Sequence, residues 1–277
     1  MDITIVYFSQ TGNTKKVALA MADEFQEQGH KVNVTSWKDV RLSDIAGCSV
    51  LGMGSPCFES QAPAPVKAFL KGLPLLKGKT AFVFATCGGA PGRILIDLSK
   101  GLKKKKARVI AGFMCHGEVH HPAPCLKGRL PGRPGEEDLT LARDFARAIV
   151  TNTAAGCTAP LSGEWSDLLK PGLSFYHLVS FIAKPPLVRI LLPKPTLVAS
   201  RCNRCGLCAR ECPAGCISSE QEPVPGSACI RCYRCLKVCP KTAFRVSWWY
   251  GNLVIWALYN KLFSRLFGDL KPDERIY

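Results

Sequence analysis

The chain has few acidic residues: 21 Asp and Glu stand against 37 Lys and Arg among 277 residues, which gives a formal net charge of +16. Such a balance suits nucleic acid, an acidic protein or an anionic membrane surface. No nucleic-acid-binding motif accompanies the charge, so we expect no nucleic-acid partner. An acidic protein partner is the expectation, and contact with a membrane surface is the alternative.

The first residues do not have the pattern expected of a signal peptide, and the apolar stretches of the connector are short. The first residues, MDITIVYFSQTGN, contain no basic segment ahead of the apolar one. The apolar stretches 173–182 and 187–192 are shorter than the roughly 20 residues that a bilayer-spanning helix needs. Seven cysteines outside the motifs described next have no regular spacing, which is typical of reduced thiols rather than of a disulfide framework. We therefore predict a cytoplasmic protein, with membrane association as the alternative.

Cysteine is abundant, and eight of the 15 cysteines form one pattern that occurs twice. The copies, offset by 27 residues, are Cys202-x2-Cys205-x2-Cys208-x3-Cys212-Pro213 and Cys229-x2-Cys232-x2-Cys235-x3-Cys239-Pro240. Three thiolates in such a short loop can each reach a different iron of one 4Fe-4S cubane, and backbone N–H groups can offset the charge of the sulfurs. Two zinc sites or a set of disulfides are the alternatives, but zinc sites pair CxxC knuckles across a longer spacer. The pattern predicts two 4Fe-4S clusters.

The two runs resemble the ligand runs of bacterial two-cluster ferredoxins, in which the cysteine before proline binds the other cluster. The resemblance implies a cluster 1 held by Cys202, Cys205, Cys208 and Cys239, and a cluster 2 held by Cys229, Cys232, Cys235 and Cys212. The offset of 27 residues aligns Cys216 with Ala243. We interpret Cys216 as a small buried residue, with a role as a variant ligand as the alternative.

The N-terminal half alternates strand patterns with helix patterns. Apolar, β-branched runs predict strands at 3–8, 31–36, 49–52, 80–85 and 107–114. Helical spacing of apolar residues predicts a helix that contains 17–25 and is ended by Gly29, and further helices at 66–71, 94–106 and 136–150. This alternation predicts an α/β fold, a doubly wound parallel sheet with helices on both faces. Ligands of such sheets bind at the carboxyl ends of the strands.

The loop after the first strand has the composition of an anion site. It runs from Ser9 to Thr14 as SQTGNT, so it offers hydroxyl groups, a glycine and the N-terminus of the next helix, which together suit a phosphate. Two further loops, GMGSPCF at 52–58 and TCGGAPG at 86–92, follow the third and fourth strands. Their glycines suit close backbone contact with a flat ring.

The TGNT loop and the order of these three loops resemble flavodoxins over about residues 1–150. The resemblance implies a five-stranded sheet in the order 2-1-3-4-5 and an FMN cofactor. It implies these FMN-binding residues: Ser9, Gln10, Thr11, Gly12, Asn13, Thr14, Ser55, Pro56, Phe58, Thr86, Cys87, Gly88 and Gly89. A flavodoxin scaffold that has lost its cofactor is the alternative.

A loop after the fifth strand is rich in cysteine and histidine, with Cys115, His116, His120, His121 and Cys125. Such side chains can bind zinc, but their spacing matches no common zinc site. The alternative is a loop that covers the flavin, with His116 near the edge of the ring.

We predict four regions along the chain. They are a flavodoxin-like FMN-binding domain at 1–152, a proline-rich connector with short helices at 153–199, a small α+β two-cluster ferredoxin domain at 200–246, and an aromatic-rich helix and tail at 247–277. We expect residues 248–267 to form a buried packing helix. Peripheral contact with a membrane through the same residues is the alternative.

The whole layout resembles a family of flavodoxin–ferredoxin fusion proteins of anaerobes. The resemblance implies electron transfer between two 4Fe-4S clusters and FMN, with redox proteins as partners. No acid–base or nucleophilic constellation stands out, so we predict no catalytic residues. An FMN-dependent reductase that uses the clusters as an internal wire, and a membrane-associated subunit of a redox complex, are the alternatives.

Overall fold

A computed structural model describes residues 1–88, 92–124, 126–154, 161, 164–170, 191–218 and 222–257. The chain divides into two compact units. Among the described residues, unit 1 contains 1–119 and 129–170, and unit 2 contains 120–128 and 191–257. Unit 2 therefore includes a short segment, 120–128, that we had predicted as part of the N-terminal domain.

Unit 1 is a five-stranded parallel sheet in the predicted order β2-β1-β3-β4-β5. The strands are β1 Asp2–Tyr7, β2 Lys31–Ser36, β3 Val50–Pro56, β4 Thr80–Cys87 and β5 Arg108–His116. The helices are α1 Asn13–Glu27, α2 Leu42–Gly47, α3 Ala64–Gly72, α4 Ile94–Lys104, α5 Glu136–Ala154 and α6 Glu164–Asp167. Because all strands run the same way, their carboxyl ends lie at one edge of the sheet.

The apolar faces of the helices cover both sides of this sheet. On one side, Phe25 of α1 and Phe145 of α5 pack with Phe82 and other side chains of the sheet. On the other side, Leu70 of α3 and Leu98 of α4 pack with alternate residues of the same strands. The continuous apolar runs of the inner strands follow from this burial on both faces.

The glycines of β3 serve packing within the sheet. A Cβ atom at Gly52 would lie 2.4 Å from the ring of Phe82, and one at Gly54 would lie 2.1 Å from the ring of Phe84. Both rings belong to the neighbouring strand β4. We had interpreted the glycines of this loop as space for a flat ligand ring, but at these two positions the rings are those of phenylalanine.

Unit 2 contains a two-stranded antiparallel sheet, β6 Thr196–Leu197 and β7 Phe244–Arg245. Two short helices, α7 Leu207–Arg210 and α8 Arg234–Val238, contain the third cysteine of each run. One cluster of buried apolar side chains in this unit consists of Cys208, Ile217, Cys235 and Phe244. This is the small α+β arrangement predicted for the C-terminal part.

Helix α9, Trp249–Trp256, begins after β7 and leaves large apolar side chains exposed. Trp249 is 78% exposed, Tyr250 48% and Leu253 58%, so the start of this helix differs from the buried packing that we expected. Residues 258–267 of the predicted helix lie outside the described residues. Within the described part of the chain, we find no helix that combines the length and the apolar character needed to cross a bilayer.

Candidate flavin and iron–sulfur sites

The predicted phosphate loop lies between β1 and α1. Gly12 has a φ of +100°, in the left-handed region that favours glycine, and no side chain caps the N-terminus of α1. The first backbone N–H groups of this 15-residue helix therefore have no partner within the helix. The N–H of Gly12 donates to Ser9 Oγ at 3.2 Å, which leaves the Ser9 hydroxyl proton for another acceptor. This donor set fits a phosphate group at the positive end of the helix dipole.

Asn13 and Thr14 hold the phosphate loop against the ends of β4 and β5. The Thr14 hydroxyl is buried and lies 2.9 Å from the Thr86 hydroxyl, and Asn13 Nδ2 donates to the Glu118 carbonyl at 3.0 Å. Gln10 is half-buried, whereas Thr11 is exposed. Of the predicted phosphate residues, Ser9, Thr11 and Gly12 thus offer donors, and Asn13 and Thr14 also position the loop.

The chain after β3 folds into a tight turn. Ser55 and Pro56 end the strand, and the backbone groups of Phe58 and Gln61 then exchange hydrogen bonds of 3.0 and 2.9 Å. Glu59 and Ser60 form the tip of the turn with φ values of 52° and 60°. Residues other than glycine seldom adopt this conformation, and strain of this kind concentrates at functional sites.

The buried carboxylate of Asp97, which is only 6% exposed, holds this turn against the start of α4. It accepts hydrogen bonds from Arg93 Nε at 2.8 Å and from the Ala62 N–H at 3.2 Å, and it pairs with Lys67 Nζ at 3.1 Å. The Ser60 carbonyl accepts the Arg93 N–H at 2.8 Å. Asp97 therefore fixes the turn after β3 to the chain that enters α4.

Glu59 is a residue of this edge that sequence reasoning missed. Burial raises the pKa of its carboxyl to about 7, while the positive charge of Lys67 opposes the rise. A carboxyl group that titrates near neutral pH can exchange a proton with a bound cofactor. The available signal was a single acidic residue in an otherwise uncharged loop, next to the predicted Phe58.

Three cysteines lie at the ends of neighbouring strands. Burial raises the pKa of the Cys57 and Cys115 thiols well above the usual range. Cys87 is buried as well, and its carbonyl accepts the N–H of Gly117. Because the thiolate is the reactive form of cysteine, burial of this kind suits structural thiols. Cys87, a predicted FMN-binding residue, places its side chain in the core.

Residues 117–119, which follow β5, pack on two of the predicted loops. A Cβ atom at Gly117 would lie 2.9 Å from Asn13 Nδ2, and one at Gly88 would lie 2.3 Å from Val119 Cγ2. His116 is buried at the end of β5, and both Gly89 and Cys125 lie outside the described residues. Among the described residues of unit 1, no group of three or more His, Cys, Asp or Glu side chains is arranged to hold a metal ion.

A row of aromatic rings lies under the turn after β3. Phe8 contacts Trp37 and Phe58 with centroid distances of 5.6 and 6.2 Å, and Trp37 contacts Phe69 at 6.2 Å. Sequence reasoning named Phe58 and missed Trp37, which follows β2. Trp37 lies at this edge of the sheet because β2 pairs with β1. No local sequence motif indicates that pairing.

The two cysteine runs fold with the same backbone conformation. Left-handed φ values occur at Arg204, Gly206 and Gly215 in the first run (56°, 69° and 56°) and at Arg231, Tyr233 and Thr242 in the second (56°, 57° and 45°). Each pair is separated by the repeat offset of 27 residues. Left-handed residues within such loops turn backbone N–H groups toward a common concave side, which suits the sulfurs of a cubane.

Backbone donors and neighbouring thiols support this fit. The N–H groups of Arg204 and Ala243 donate to the sulfurs of Cys202 and Cys239 at 3.4 and 3.3 Å. Burial, followed by the nearby Cys202 and Cys239, raises the pKa of Cys208. Burial, followed by Cys232, Cys229 and Cys212, raises the pKa of Cys235 to about 12. Cys239 thus acts on a thiol of the first run and Cys212 on a thiol of the second, and the crossed assignment of the two clusters stays a prediction.

Cys216 lies beside the second group of thiols. Its Sγ is 3.5 Å from Cys212 Sγ, and burial, followed by Cys212, raises its pKa to about 12. Ala243, the aligned residue of the other copy, is fully buried. A fifth thiol thus stands near the predicted ligands of cluster 2, and methyl-sized Ala243 occupies the matching place near cluster 1.

Comparisons with known proteins follow the same division of the chain. Residues 4–123 match the family model of a flavodoxin domain. Residues 195–218 and 226–251 each match a family model of a 4Fe-4S binding domain.

Relatives of the N-terminal half include a flavodoxin of Megasphaera elsdenii. It is 31% identical over 128 residues, which cover 45% of this chain and 93% of that protein. An uncharacterized protein of Methanocaldococcus jannaschii is 27% identical over 143 residues, which cover 50% of this chain and 91% of that protein. Among solved structures, a flavodoxin from the domain Archaea is similar with a TM-score of 0.46 and 20% identity, and the match covers 56% of this chain and 99% of that one.

The flavodoxin match implies FMN, and the two 4Fe-4S matches imply two clusters. The phosphate loop and the paired cysteine loops fit these groups, so FMN and two 4Fe-4S clusters are the cofactors of the protein. The chain belongs to the flavodoxin family, as a flavodoxin–ferredoxin fusion in which a flavodoxin domain precedes two 4Fe-4S binding domains.

Proposed function

We propose that the protein carries electrons between the FMN of its flavodoxin domain and its two clusters, in a redox pathway of an anaerobe. When bound, FMN exchanges one or two electrons, whereas each cluster exchanges one. One observation carries the proposal: a flavodoxin phosphate loop and two cluster loops of matching conformation occur in the same chain.

In this proposal, the N-terminus of α1 holds the FMN phosphate with the hydroxyls of Ser9 and Thr11. The turn at Phe58 and the backbone of Thr86 and Gly88 flank the ring. Asp97 keeps the turn in place through its bonds to Arg93, Lys67 and Ala62. Glu59, with its pKa near 7, takes up or releases a proton at the tip of the turn.

The partner that we propose is an acidic redox protein. Arg201, Arg204 and Arg210 are exposed around the first cysteine run, and Cys205 in the same loop is exposed. Positive charge at an exposed ligand loop attracts an acidic protein and speeds its association. An increase in salt concentration should therefore slow electron exchange with such a partner.

Anaerobic purification with iron, sulfide and flavin analysis tests the cofactor assignment. We expect about eight irons and one FMN per chain. Gly12→Val should lower the FMN content while the iron content stays unchanged, because a branched residue opposes a φ of +100°. Cys235→Ala should do the reverse. Loss of both cofactors from both variants would contradict two independent sites.

A membrane-attached carrier is a second candidate, and the exposed side chains of α9 favour it. Trp249, Tyr250 and Leu253 present aromatic and apolar groups that suit the interface of a bilayer. Sedimentation with anionic vesicles should separate the two candidates. Binding by the wild type that is lost in Trp249→Ser/Leu253→Ser would favour attachment, and absence of binding by the wild type would remove it.

A further inference from the structure

One segment of unit 2 comes from the flavodoxin half of the chain. Residues 120–128 belong to unit 2, whereas Val119 and Arg129 on either side belong to unit 1 and are joined by a hydrogen bond of 2.9 Å. Glu118, which accepts the hydrogen bond from Asn13 of the phosphate loop, precedes His121 by three positions. The segment therefore begins at His120, two positions after Glu118, whose carbonyl contacts the predicted phosphate loop.

Within unit 2, His121 is held by two aromatic rings. Its ring lies edge-on to Tyr233 with a centroid distance of 5.1 Å and edge-on to Trp248 at 5.4 Å, and Tyr233 and Trp248 are 5.2 Å apart. We refer to His121, Tyr233 and Trp248 as the ring set. The Tyr233 hydroxyl donates to the Pro193 carbonyl at 3.0 Å, and Tyr233 is 1% exposed. These contacts fix the segment on the loop that follows Cys232.

Tyr233 occupies a backbone position that suits glycine. Its φ is 57°, and the aligned residue in the first run is Gly206 with a φ of 69°. A bulky residue with a positive φ is a genuine outlier, and it persists only where the surrounding structure holds it. The second run therefore bears a strained, fully buried aromatic residue where the first run has none, and the contacts of that residue are those of the ring set.

The ligand loop of the first run is more exposed than that of the second run. Gly206 has no side chain to cover the loop, Cys205 is exposed, and Arg204 and Arg210 are exposed nearby. The two ligand loops thus share a conformation but offer different surfaces. Among the described residues, one loop is covered by segment 120–128, and the other has an exposed cysteine beside exposed arginines.

We propose that the ring set makes cluster 2 the internal cluster, which exchanges electrons with the FMN, and leaves cluster 1 to exchange electrons with an acidic redox protein. His121 and Tyr233 are positioning residues, because they hold the segment that follows the flavin site beside the ligand loop of cluster 2. With the cofactors bound, one electron at a time would pass between FMN and cluster 2, between the clusters, and between cluster 1 and the partner, so that each oxidation would be matched by a reduction. The inference rests on the proposed transfer between FMN and the clusters.

Paired substitutions in the holoprotein test the role of the ring set. His121→Ala removes one ring, and the matched His121→Phe keeps a ring at the same place. Tyr233→Gly gives the second run the residue of the first, and Tyr233→Phe keeps the ring. Iron and FMN contents are measured for each variant, then amide hydrogen exchange of residues 119–124, and then the rate at which photoreduced FMN reduces the clusters.

We expect His121→Ala and Tyr233→Gly to keep their cofactors, to exchange amide hydrogens about ten-fold faster in the segment, and to transfer electrons about ten-fold more slowly. The two phenylalanine variants should resemble the wild type. Should Tyr233→Gly lose iron, the His121 pair decides, because His121 lies outside both ligand runs.

Three results would overturn the inference or part of it. Hydrogen exchange in fully loaded His121→Ala within about two-fold of the wild type would show that the ring set does not hold the segment. Faster hydrogen exchange with an unchanged electron-transfer rate would show that cluster 2 is not the internal cluster. A wild type that transfers no electrons between FMN and clusters would refute the proposed function itself, while the exchange data would still decide the role of the ring set.

Discussion

The two cluster-binding loops share one backbone and differ in almost everything around it. Their left-handed residues recur at the same positions, yet Gly206 corresponds to Tyr233, Gly215 to Thr242 and Ala243 to Cys216. Arg204 is exposed, whereas the buried Nε of the aligned Arg231 has no hydrogen-bond partner among the described residues. A cubane constrains the path of the backbone, while the side chains around it can give each cluster its own environment.

The largest expected effect comes from removing the cysteine that each run is predicted to contribute to the cluster of the other run. Under the crossed assignment, Cys239→Ala should remove cluster 1 and Cys212→Ala should remove cluster 2, so each variant should keep about four irons. Iron analysis together with electron paramagnetic resonance of the remaining cluster would show which one is lost.

Cys216→Ala is the matched control for these variants. It gives the second thiol group the alanine that stands near the first, so we expect about eight irons to remain. If Cys212→Ala kept all its iron and Cys212→Ala/Cys216→Ala did not, Cys216 would be a ligand in the absence of Cys212. Our interpretation of Cys216 as a buried core residue would then be wrong.

A second prediction concerns the pH dependence of the ring set, for which the first run has no counterpart. Burial, followed by the charge of Lys237, lowers the pKa of His121 from 6.5 to about 4. Stability that depends on neutral His121 is therefore complete above pH 6.5 and is lost as the pH falls toward 4. A decrease from pH 6.5 to 5.5 should open the segment up to about ten-fold more often.

Hydrogen exchange of residues 119–124, corrected for the intrinsic effect of pH, measures this change. His121→Phe has no titrating ring and should show a flat profile over the same interval. An equal pH dependence in both proteins would assign the effect to another group.

A smaller effect should come from Thr242 and Gly215, which occupy the same left-handed position in the two runs. Thr242 is β-branched and has a φ of 45°, so Thr242→Gly should stabilise the loop by about 1 kcal/mol. Gly215→Thr should destabilise the other loop by a similar amount, since open space surrounds Gly215 and only its φ of 56° opposes a side chain. The temperature at which cluster absorbance is lost should rise in the first variant and fall in the second.

The smallest expected effect concerns the charges at the aligned arginines. Arg204→Gln and Arg231→Gln each remove one positive charge beside a ligand loop, which disfavours the more negative, reduced cluster. The midpoint potentials should fall by a few tens of millivolts, and more for Arg231 because it is less exposed to solvent. Redox titration measures both values. Equal or absent shifts would contradict a difference in the environments of the two loops.

The sequence was sufficient to predict features that depend on local order. The sheet order followed from the resemblance to flavodoxins, the cluster loops followed from cysteine spacing, and the phosphate loop followed from residues 9–14. In contrast, Gly52 and Gly54 were misinterpreted, because a glycine pattern does not say whether a ligand or a neighbouring phenylalanine occupies the space.

Residues whose roles depend on distant parts of the chain were not predictable. Asp97 reaches the turn after β3 from a helix that follows the next strand, and Trp37 enters the same edge through the pairing of β2 with β1. The strained Tyr233 could be aligned with Gly206 in the sequence. Its φ and its contact with His121 required the structure.

The origin of residues 120–128 also affects how the protein is made. His121 and Tyr233 are 112 positions apart in the sequence, so roughly 6–22 s of synthesis separate them at typical rates. During that time the flavodoxin domain can fold while His121 still lacks its partner rings. A fragment beginning at residue 182 would lack this segment of its own unit. The ferredoxin part should therefore be a poor candidate for excision, and the fusion should act as one biosynthetic product rather than as two exchangeable modules.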